Sequence, residues 1–163
     1  MTTIALQERS LISYSLEYIF SFTGRGSTMP EAIGPLAEGL RVNFYNSGGE
    51  IYGPRIRGTL RAVGGDWVTV RKDGVALLDA RVTLETHDGA LILATYPGTI
   101  DFGEDGYEKF LRSDLPPAAQ VRISPRFYTS HSGYLWLNRL HCVGIGEYIP
   151  AERCVNYDVY AVR

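Results

Sequence analysis

The chain lacks the features that mark several common classes of protein. Its 163 residues contain two cysteines, too few for the disulfide framework of a small secreted domain. Its 16 basic residues do not outnumber its 18 acidic residues, so the basic excess typical of nucleic-acid binders is missing. No apolar run approaches the ~20 residues of a membrane span, and no charged-then-apolar leader opens the sequence. We therefore expect a cytoplasmic protein that binds neither nucleic acid nor membrane.

Motifs for common cofactors are also missing. Gly24 and Gly26 begin like a dinucleotide fingerprint, but Met29 and Pro30 follow in place of a third glycine and a helix. The P-loop, the Gly-x-Ser-x-Gly nucleophile elbow and the His-Glu-x-x-His zinc motif do not occur. The three histidines lie in separate segments without ligand spacing: His87, His131 and His141. The sequence therefore predicts no cofactor and no resident metal.

Aromatic residues, by contrast, are abundant. Eleven Tyr, six Phe and two Trp favour pleated, half-buried surfaces, which indicates a protein rich in β-sheet. Beyond Leu40, apolar-rich runs alternate with turn dipeptides such as the Asp-Gly pairs at Asp73 and Asp88, a rhythm typical of antiparallel barrels and sandwiches. We predict an all-β fold, with residues 1–163 forming a single closed up-and-down antiparallel barrel of about eight to ten strands, similar to a lipocalin. One short helix is expected over residues 107–112, and residues 1–10 are expected to form a loose arm.

Glycine and proline set the predicted strand boundaries. Residues 24–39 contain four glycines and two prolines, and we interpret them as a connection without a strand. Turns are predicted at Ser47-Gly48-Gly49 and at Gly64-Gly65. A strand is predicted over residues 134–146.

Several sequence blocks resemble those of the domain-of-unknown-function family 3237, also catalogued as uncharacterised protein family 0311. The blocks are Leu-Glu-Tyr-Ile-Phe at 16–20, Gly-Pro-Arg-Ile-Arg-Gly at 53–58, Gly-Asp-Trp at 65–67, Arg-Lys-Asp-Gly-Val at 71–75, Leu-Asp-Ala-Arg at 78–81, Asp-Gly-Ala-Leu-Ile at 88–92, Pro-Arg-Phe at 125–127, Tyr-Leu-Trp-Leu-Asn at 134–138 and Val-Gly-Ile-Gly-Glu at 143–147. Each block is weak alone, but their common order covers nearly the whole chain. The resemblance implies a small antiparallel β-barrel and says little about a reaction.

The segment from Val75 to Thr86 permits two interpretations. Its even positions are apolar, whereas Asp79 and Arg81 share the opposite face and can meet. From the residues alone, a solvated outer face with a weak ion pair is favoured. The Asp-x-Arg pair belongs to a family block, however, and the resemblance favours a place in the barrel lumen. There Asp79 would transfer a proton and Arg81 would tune its pKa.

Other residues could complete a site in the lumen. Tyr134, Trp136 and Asn138 alternate along their predicted strand, so the two rings would form a stacking surface that ends in an amide. Asn138 would either pin a loop or orient a ligand, and with Asp79 and Arg81 it forms the predicted catalytic set. Two arginines and two tyrosines could bind substrate, although such residues are more often plain surface or core positions: Arg57, Arg126, Tyr45 and Tyr96.

These observations lead to three functional hypotheses. The first is a cofactor-independent enzyme acting on a small aromatic or polycyclic metabolite, an isomerase, cyclase or lyase that works by proton transfer. The second is a non-catalytic, lipocalin-like binding protein, because a barrel with aromatic walls suits either role. The third is a filled barrel that acts through its surface. The expected partner is a small-molecule ligand or substrate, and a homodimer is compatible with an aromatic-rich barrel.

Overall fold

The computed structural model describes residues 11–27 and 29–163. The predicted arm at residues 1–10 lies outside the described residues. The strands are β1 Leu16–Gly26, β2 Glu31–Leu36, β3 Gly39–Tyr52, β4 Arg57–Val70, β5 Val75–Thr86, β6 Leu91–Asp101, β7 Ala119–Ile123, β8 Arg126–Tyr128, β9 Cys142–Ile149 and β10 Cys154–Val162. Helix α1 spans Gly106–Leu111, and two 3₁₀ helices span Ser132–Arg139 and Pro150–Glu152. No helix in the described ranges is long and apolar enough to span a bilayer.

Eight of the strands close into an antiparallel barrel. Strands β3, β4, β5, β6, β7, β9 and β10 follow one another around the sheet, and β1 pairs with both β10 and β3. At the junction Phe22 of β1 faces Ile51 on one side and Tyr157 on the other. The other two strands pair with strands of the barrel, β2 with β3 and β8 with β6. This topology confirms the predicted all-β, up-and-down barrel with a short helix.

The interior of the barrel follows the alternation in the sequence. Along β5 the even positions are buried and the side chains between them face outward. The buried set is Ala76, Leu78, Ala80, Val82, Leu84 and Thr86. Aromatic rings fill part of the interior, with Phe22 and Tyr157 at 4.8 Å and Phe20 and Phe127 at 5.5 Å between ring centroids. Packed rings therefore fill part of the lumen, and open space remains beside Tyr157.

Two predicted turns proved to be bends inside long strands. Ser47-Gly48-Gly49 lies within β3 and Gly64-Gly65 within β4, while the actual reversal falls at residues 53–56. At Gly49 the backbone of β1 comes so close that an added Cβ would overlap the carbonyl oxygen of Thr23. The glycines permit the sharp bends and close strand contacts of a small barrel, rather than ending the strands.

Two further predictions about local structure were wrong. The connection predicted over residues 24–39 contains β2, which pairs with β3. The strand predicted from residue 134 begins only at Cys142, because the preceding segment is a 3₁₀ helix. Its buried residues, Tyr134, Leu137 and then Leu140, recur every third position, which is the period of a 3₁₀ helix and not of a strand.

Helix α1 confirms the predicted helix and packs at one end of the barrel. Phe110 of the helix lies edge-on to Phe102, which follows β6, with 5.8 Å between ring centroids. Both residues line the interior cavity. The helix thus contributes to the wall of the site.

Candidate active site in the barrel lumen

A partly open cavity of about 100 Å³ lies inside the barrel. Most of its wall is apolar or aromatic, and its polar groups are few. The lining includes Arg25, Tyr45, Asp66, Val68, Ala76, Tyr96, Phe102, Arg153 and Tyr157. An apolar pocket with a few convergent polar groups is the usual form of a small-molecule site.

Asp66 places a carboxyl group in this apolar wall. It lies on β4, on the same face as the buried residues Val68 and Val70. It pairs across the ladder with Ala80 of β5, itself a buried residue. Its Oδ1 accepts a hydrogen bond from the backbone N–H of Asp79 at 2.8 Å, which holds the carboxyl group against the strand.

The surroundings of Asp66 shift its titration toward neutral pH. Burial raises its pKa from 3.8 to about 7, the Asp79 N–H opposes this shift, and the negative charge of Asp79 adds to it. Among the described residues no lysine or arginine forms an ion pair with Asp66. A carboxyl group with a pKa near 7 can both accept and donate a proton at physiological pH, as a general acid–base catalyst must.

Tyr96 and Tyr157 line the same cavity as Asp66. Their rings meet edge to face with 6.0 Å between centroids. Burial raises the pKa of Tyr96, and the charge of Asp66 raises it further. The pKa of Tyr157 is likewise raised by burial and by the charges of Tyr96 and Asp66. Both tyrosines therefore stay protonated and can donate hydrogen bonds to an oxygen atom in the cavity.

Asp79 and Arg81 lie on the outside of the barrel, so the prediction that they face the lumen was wrong. Their charged groups are 3.4 Å apart, and their side chains are 59% and 58% exposed. The guanidinium group of Arg81 lies 5.9 Å from the ring of Trp67. The apolar even positions of β5 take the inward face, as hydrophobic burial demands, and this leaves the odd positions to solvent. The alternative interpretation, an exposed ion pair, describes their place in the structure.

Asn138 and Tyr134 stabilise loops away from the cavity. Asn138 accepts a hydrogen bond from the N–H of Thr129 at 2.9 Å and donates one to its carbonyl at 2.8 Å. The amide thus pins a loop, one of the two predicted roles. The hydroxyl of Tyr134 donates to Asp88 at 2.8 Å. These residues do not form the predicted surface for stacking a ligand.

Trp136 and the two predicted arginines, Arg57 and Arg126, do not line the cavity either. The guanidinium group of Arg55 stacks on Trp136 at 3.7 Å from the ring centroid. Arg57 is exposed at the start of β4. Arg126 is exposed on β8, and its Nη1 lies 3.3 Å from Nδ1 of His141. The structure places none of these residues at the cavity.

Tyr45 and Tyr96 are the two predicted site residues that line the cavity. Tyr96 is buried, whereas Tyr45 is 37% exposed at the rim. The hydroxyl of Tyr45 donates to Oε2 of Glu31 at 2.8 Å. This hydrogen bond raises the pKa of Tyr45 above its ordinary value.

Asp66 and Tyr157 were missed as site residues. A signal for Asp66 existed, because it continues the inward alternation of Val68 and Val70 and so puts a charged residue where an apolar one is expected. For Tyr157 the sequence offers only its place in a strand near the end of the chain. Its position opposite Phe22 depends on the closure of the barrel.

Comparison with known proteins identifies the family. Residues 14–162 match the family described as "Protein of unknown function (DUF3237)". A UPF0311 protein of Rhodopseudomonas palustris is 32% identical over 131 residues, which are 78% of this chain and 84% of that protein.

Solved structures share the fold. The protein of unknown function RPA1785 from R. palustris superposes with a TM-score of 0.83 at 27% identity, covering 93% of this chain and 99% of that one. A beta-barrel like protein from Acinetobacter baumannii gives 0.80 at 26% identity, covering 94% and 99%. A protein described as an enzyme from Penicillium herquei gives 0.66 at 23% identity, covering 93% and 98%, a likeness of fold alone. The chain belongs to the DUF3237 family of β-barrel proteins.

Proposed function

We propose that the protein is a cofactor-independent enzyme that moves a proton within a small aromatic substrate held in the barrel lumen, with Asp66 as the acid and base. One observation carries the proposal. Among the described residues that line the cavity, Asp66 alone bears a carboxyl group, and the lining is mostly apolar and includes Tyr96 and Tyr157. A carboxyl group desolvated in this way is a common arrangement at working sites.

The lining residues have complementary chemical roles. The Asp66 carboxylate would take a proton from a carbon next to a carbonyl group. The electron pair of that C–H bond would form a carbon–carbon double bond, and the π pair of the carbonyl would move onto its oxygen. The hydroxyls of Tyr96 and Tyr157 would stabilise this oxyanion by hydrogen bonds. In a substrate with a carbon–carbon double bond beside that carbon, Asp66 would then return the proton at the far end of the conjugated system. The result is an isomerisation, which needs neither an oxidant nor a reductant.

The size of the cavity limits the part of the substrate that enters it. Its volume is about 100 Å³, whereas an engineered apolar cavity of about 150 Å³ in another protein accommodates benzene. A single ring therefore suits the interior, after slight adjustment of the walls. Any second ring or polar substituent of a larger metabolite would lie at the rim.

The fold is compatible with catalysis, since the P. herquei protein that shares it is described as an enzyme. The outer carboxylate Asp79 offers a matched comparison for a test. It sits on the same wall as Asp66 but faces solvent, and replacing it by Asn keeps the backbone N–H that binds Asp66.

The proposed function is tested by measuring the exchange of carbon-bound hydrogen in a ketone with deuterium from the solvent. Single-ring ketones such as acetophenone and phenylacetone are incubated with the protein in D₂O, and deuterium incorporation is followed by NMR. We expect exchange faster than in buffer with the wild type, its loss in Asp66→Asn, and its retention in Asp79→Asn. Exchange that survives in Asp66→Asn would remove this residue from the role of base.

A binding protein without catalysis is the second candidate, and the predominantly apolar lining favours it. A carrier would bind the same ketones, detected as a rise in Tm. It would produce no exchange above the buffer rate, and Asp66→Asn would leave its affinity unchanged or improve it.

A further inference from the structure

Two arginines lie at the rim of the cavity. Arg25 is near the end of β1, and Arg153 is in the turn that leads into β10. Both are exposed, and both line the cavity. We refer to Arg25 and Arg153 as the rim arginines.

The backbone brings the rim arginines together. Arg25 is opposite Cys154 in the β1–β10 ladder. The next residue, Gly26, donates its N–H to the carbonyl of Arg153 at 2.8 Å. The two side chains therefore start from adjacent positions on neighbouring segments.

The guanidinium groups of both rim arginines are available. Within the described parts of the chain, neither takes part in an ion pair or a side-chain hydrogen bond. Two other carboxylates are held elsewhere, since Glu31 accepts from Tyr45 and Glu147 accepts from Asn156. Glu152, which precedes Arg153 in the chain, forms no ion pair with either arginine among the described residues. Two unpaired guanidinium groups beside an apolar cavity make a site that favours an anion.

The backbone at Arg153 adds a second observation. Its φ and ψ of 49° and 42° are left-handed, a conformation that glycine or asparagine adopts at lower cost. Arg153 thus occupies, beside the cavity, a turn position at which glycine would be less strained.

We propose that the ligand of this protein is an aromatic compound bearing an oxyanion, a carboxylate or a phosphate, which the rim arginines bind while the ring enters the cavity. The planar guanidinium group pairs with either oxyanion through two parallel hydrogen bonds. The ligand is oriented by charge: the negative charge of Asp66 disfavours the oxyanion in the interior, so the oxyanion lies at the rim and the ring lies inside. The inference rests on the proposed function in placing the ring of the substrate beside Asp66.

The test compares affinities measured by calorimetry at low ionic strength. The probes are phenylacetate, phenyl phosphate, the neutral analogue phenylacetamide, and inorganic phosphate. We expect phenylacetate or phenyl phosphate to bind at least about tenfold more tightly than phenylacetamide and than inorganic phosphate. A tenfold difference in affinity corresponds to the contribution of one hydrogen bond to a charged group. Equal affinity for phenylacetate, phenyl phosphate and phenylacetamide, or no measurable binding of either aromatic anion at millimolar concentration, would overturn the proposal. Inorganic phosphate binding as tightly as phenyl phosphate would overturn insertion of the ring.

Variants assign the effect to the rim. Arg25→Gln and Arg153→Gln should each weaken anion binding about tenfold and leave phenylacetamide unaffected. Arg139→Gln, on the exposed face of the 3₁₀ helix, is the matched control and should change neither affinity. If the rim variants bind the anions as the wild type does, the proposal is wrong.

The experiments distinguish failure of catalysis by Asp66 from failure of anion binding by the rim arginines. Anion binding is measured without turnover, and Asp66→Asn should retain or strengthen it, because a negative charge is lost. Should anion binding depend on the rim while Asp66→Asn retains deuterium exchange, only the catalytic proposal falls. If exchange depends on Asp66 while the anions show no advantage, only the present inference falls.

Discussion

The carboxyl group of Asp66 is held in the cavity wall at the expense of stability. Burial raises its pKa from 3.8 to about 7, so the folded chain holds this proton over a pH range in which the unfolded chain has released it. Stability rises with pH only where the unfolded state binds more protons. Here the folded state binds more, and the contribution of Asp66 therefore lowers stability as the pH rises from about 4 to 7.

Asp66→Asn should remove this dependence. The amide oxygen can still accept the Asp79 N–H, while the ionisable group is gone. Above pH 7 we expect the variant to be more stable than the wild type, with an upper bound on the order of 4 kcal/mol set by the shift in pKa. Urea unfolding of both proteins at pH 5 and pH 8 measures the difference. A variant no more stable than the wild type at pH 8 would contradict the buried, unpaired state of the carboxyl group.

At the scale of the strands, glycine in β3 determines whether the barrel can close. Gly49 is opposite Gly24 in the β1–β3 ladder, and an added Cβ there would overlap the Thr23 carbonyl. Backbone cannot move aside as the end of a flexible side chain can. The pairing that joins β1 to β3 therefore depends on the absence of a side chain at this position.

Gly49→Ala should destabilise the fold by about 3 kcal/mol or more, because the two strands must separate. Gly133→Ala is the control, since a Cβ there would meet only the His131 ring at an ordinary 3.4 Å. Thermal unfolding of both variants tests the contrast. Equal Tm values would show that β1 and β3 can shift without cost.

The strand pattern and the site differ in how far the sequence predicts them. The alternation along β5 fixed which of its residues lie inside, because a buried face must be apolar, and that rule alone places Asp79 outside. The glycine pairs at 48–49 and 64–65 were wrongly predicted as turns, since glycine permits both a turn between strands and a bend within one. Asp66 could have been found from its phase with Val68, whereas its proximity to Tyr157 arises from closure of the barrel between segments far apart in the chain.

Across the whole molecule, space in the lumen is divided between packed rings and the cavity. Ala76 lies on the cavity wall and is 1% exposed. Its small side chain leaves room that a larger residue would occupy. The cavity volume is therefore set by residue size at a few wall positions.

Ala76→Leu should fill the cavity. We expect affinity for phenylacetamide to fall about tenfold, because the ring is excluded. The free energy of unfolding should not fall by more than about 1 kcal/mol, since the added carbons enter vacant space. Leu77→Ala, at the adjacent outward-facing position, is the control and should leave affinity unchanged. Calorimetry and urea unfolding give both quantities, and unchanged affinity in Ala76→Leu would place the ring elsewhere.

The double pairing of β1 has a consequence for biosynthesis. One edge of this strand can join β3 soon after both leave the ribosome, but the other edge has no partner until β10 is made. A nascent chain therefore exposes open strand edges for most of its synthesis, the condition under which neighbouring chains associate. Because the last pairing joins segments distant in sequence, it is also expected to be slow, and chaperones that shield strand edges should improve the yield of this protein.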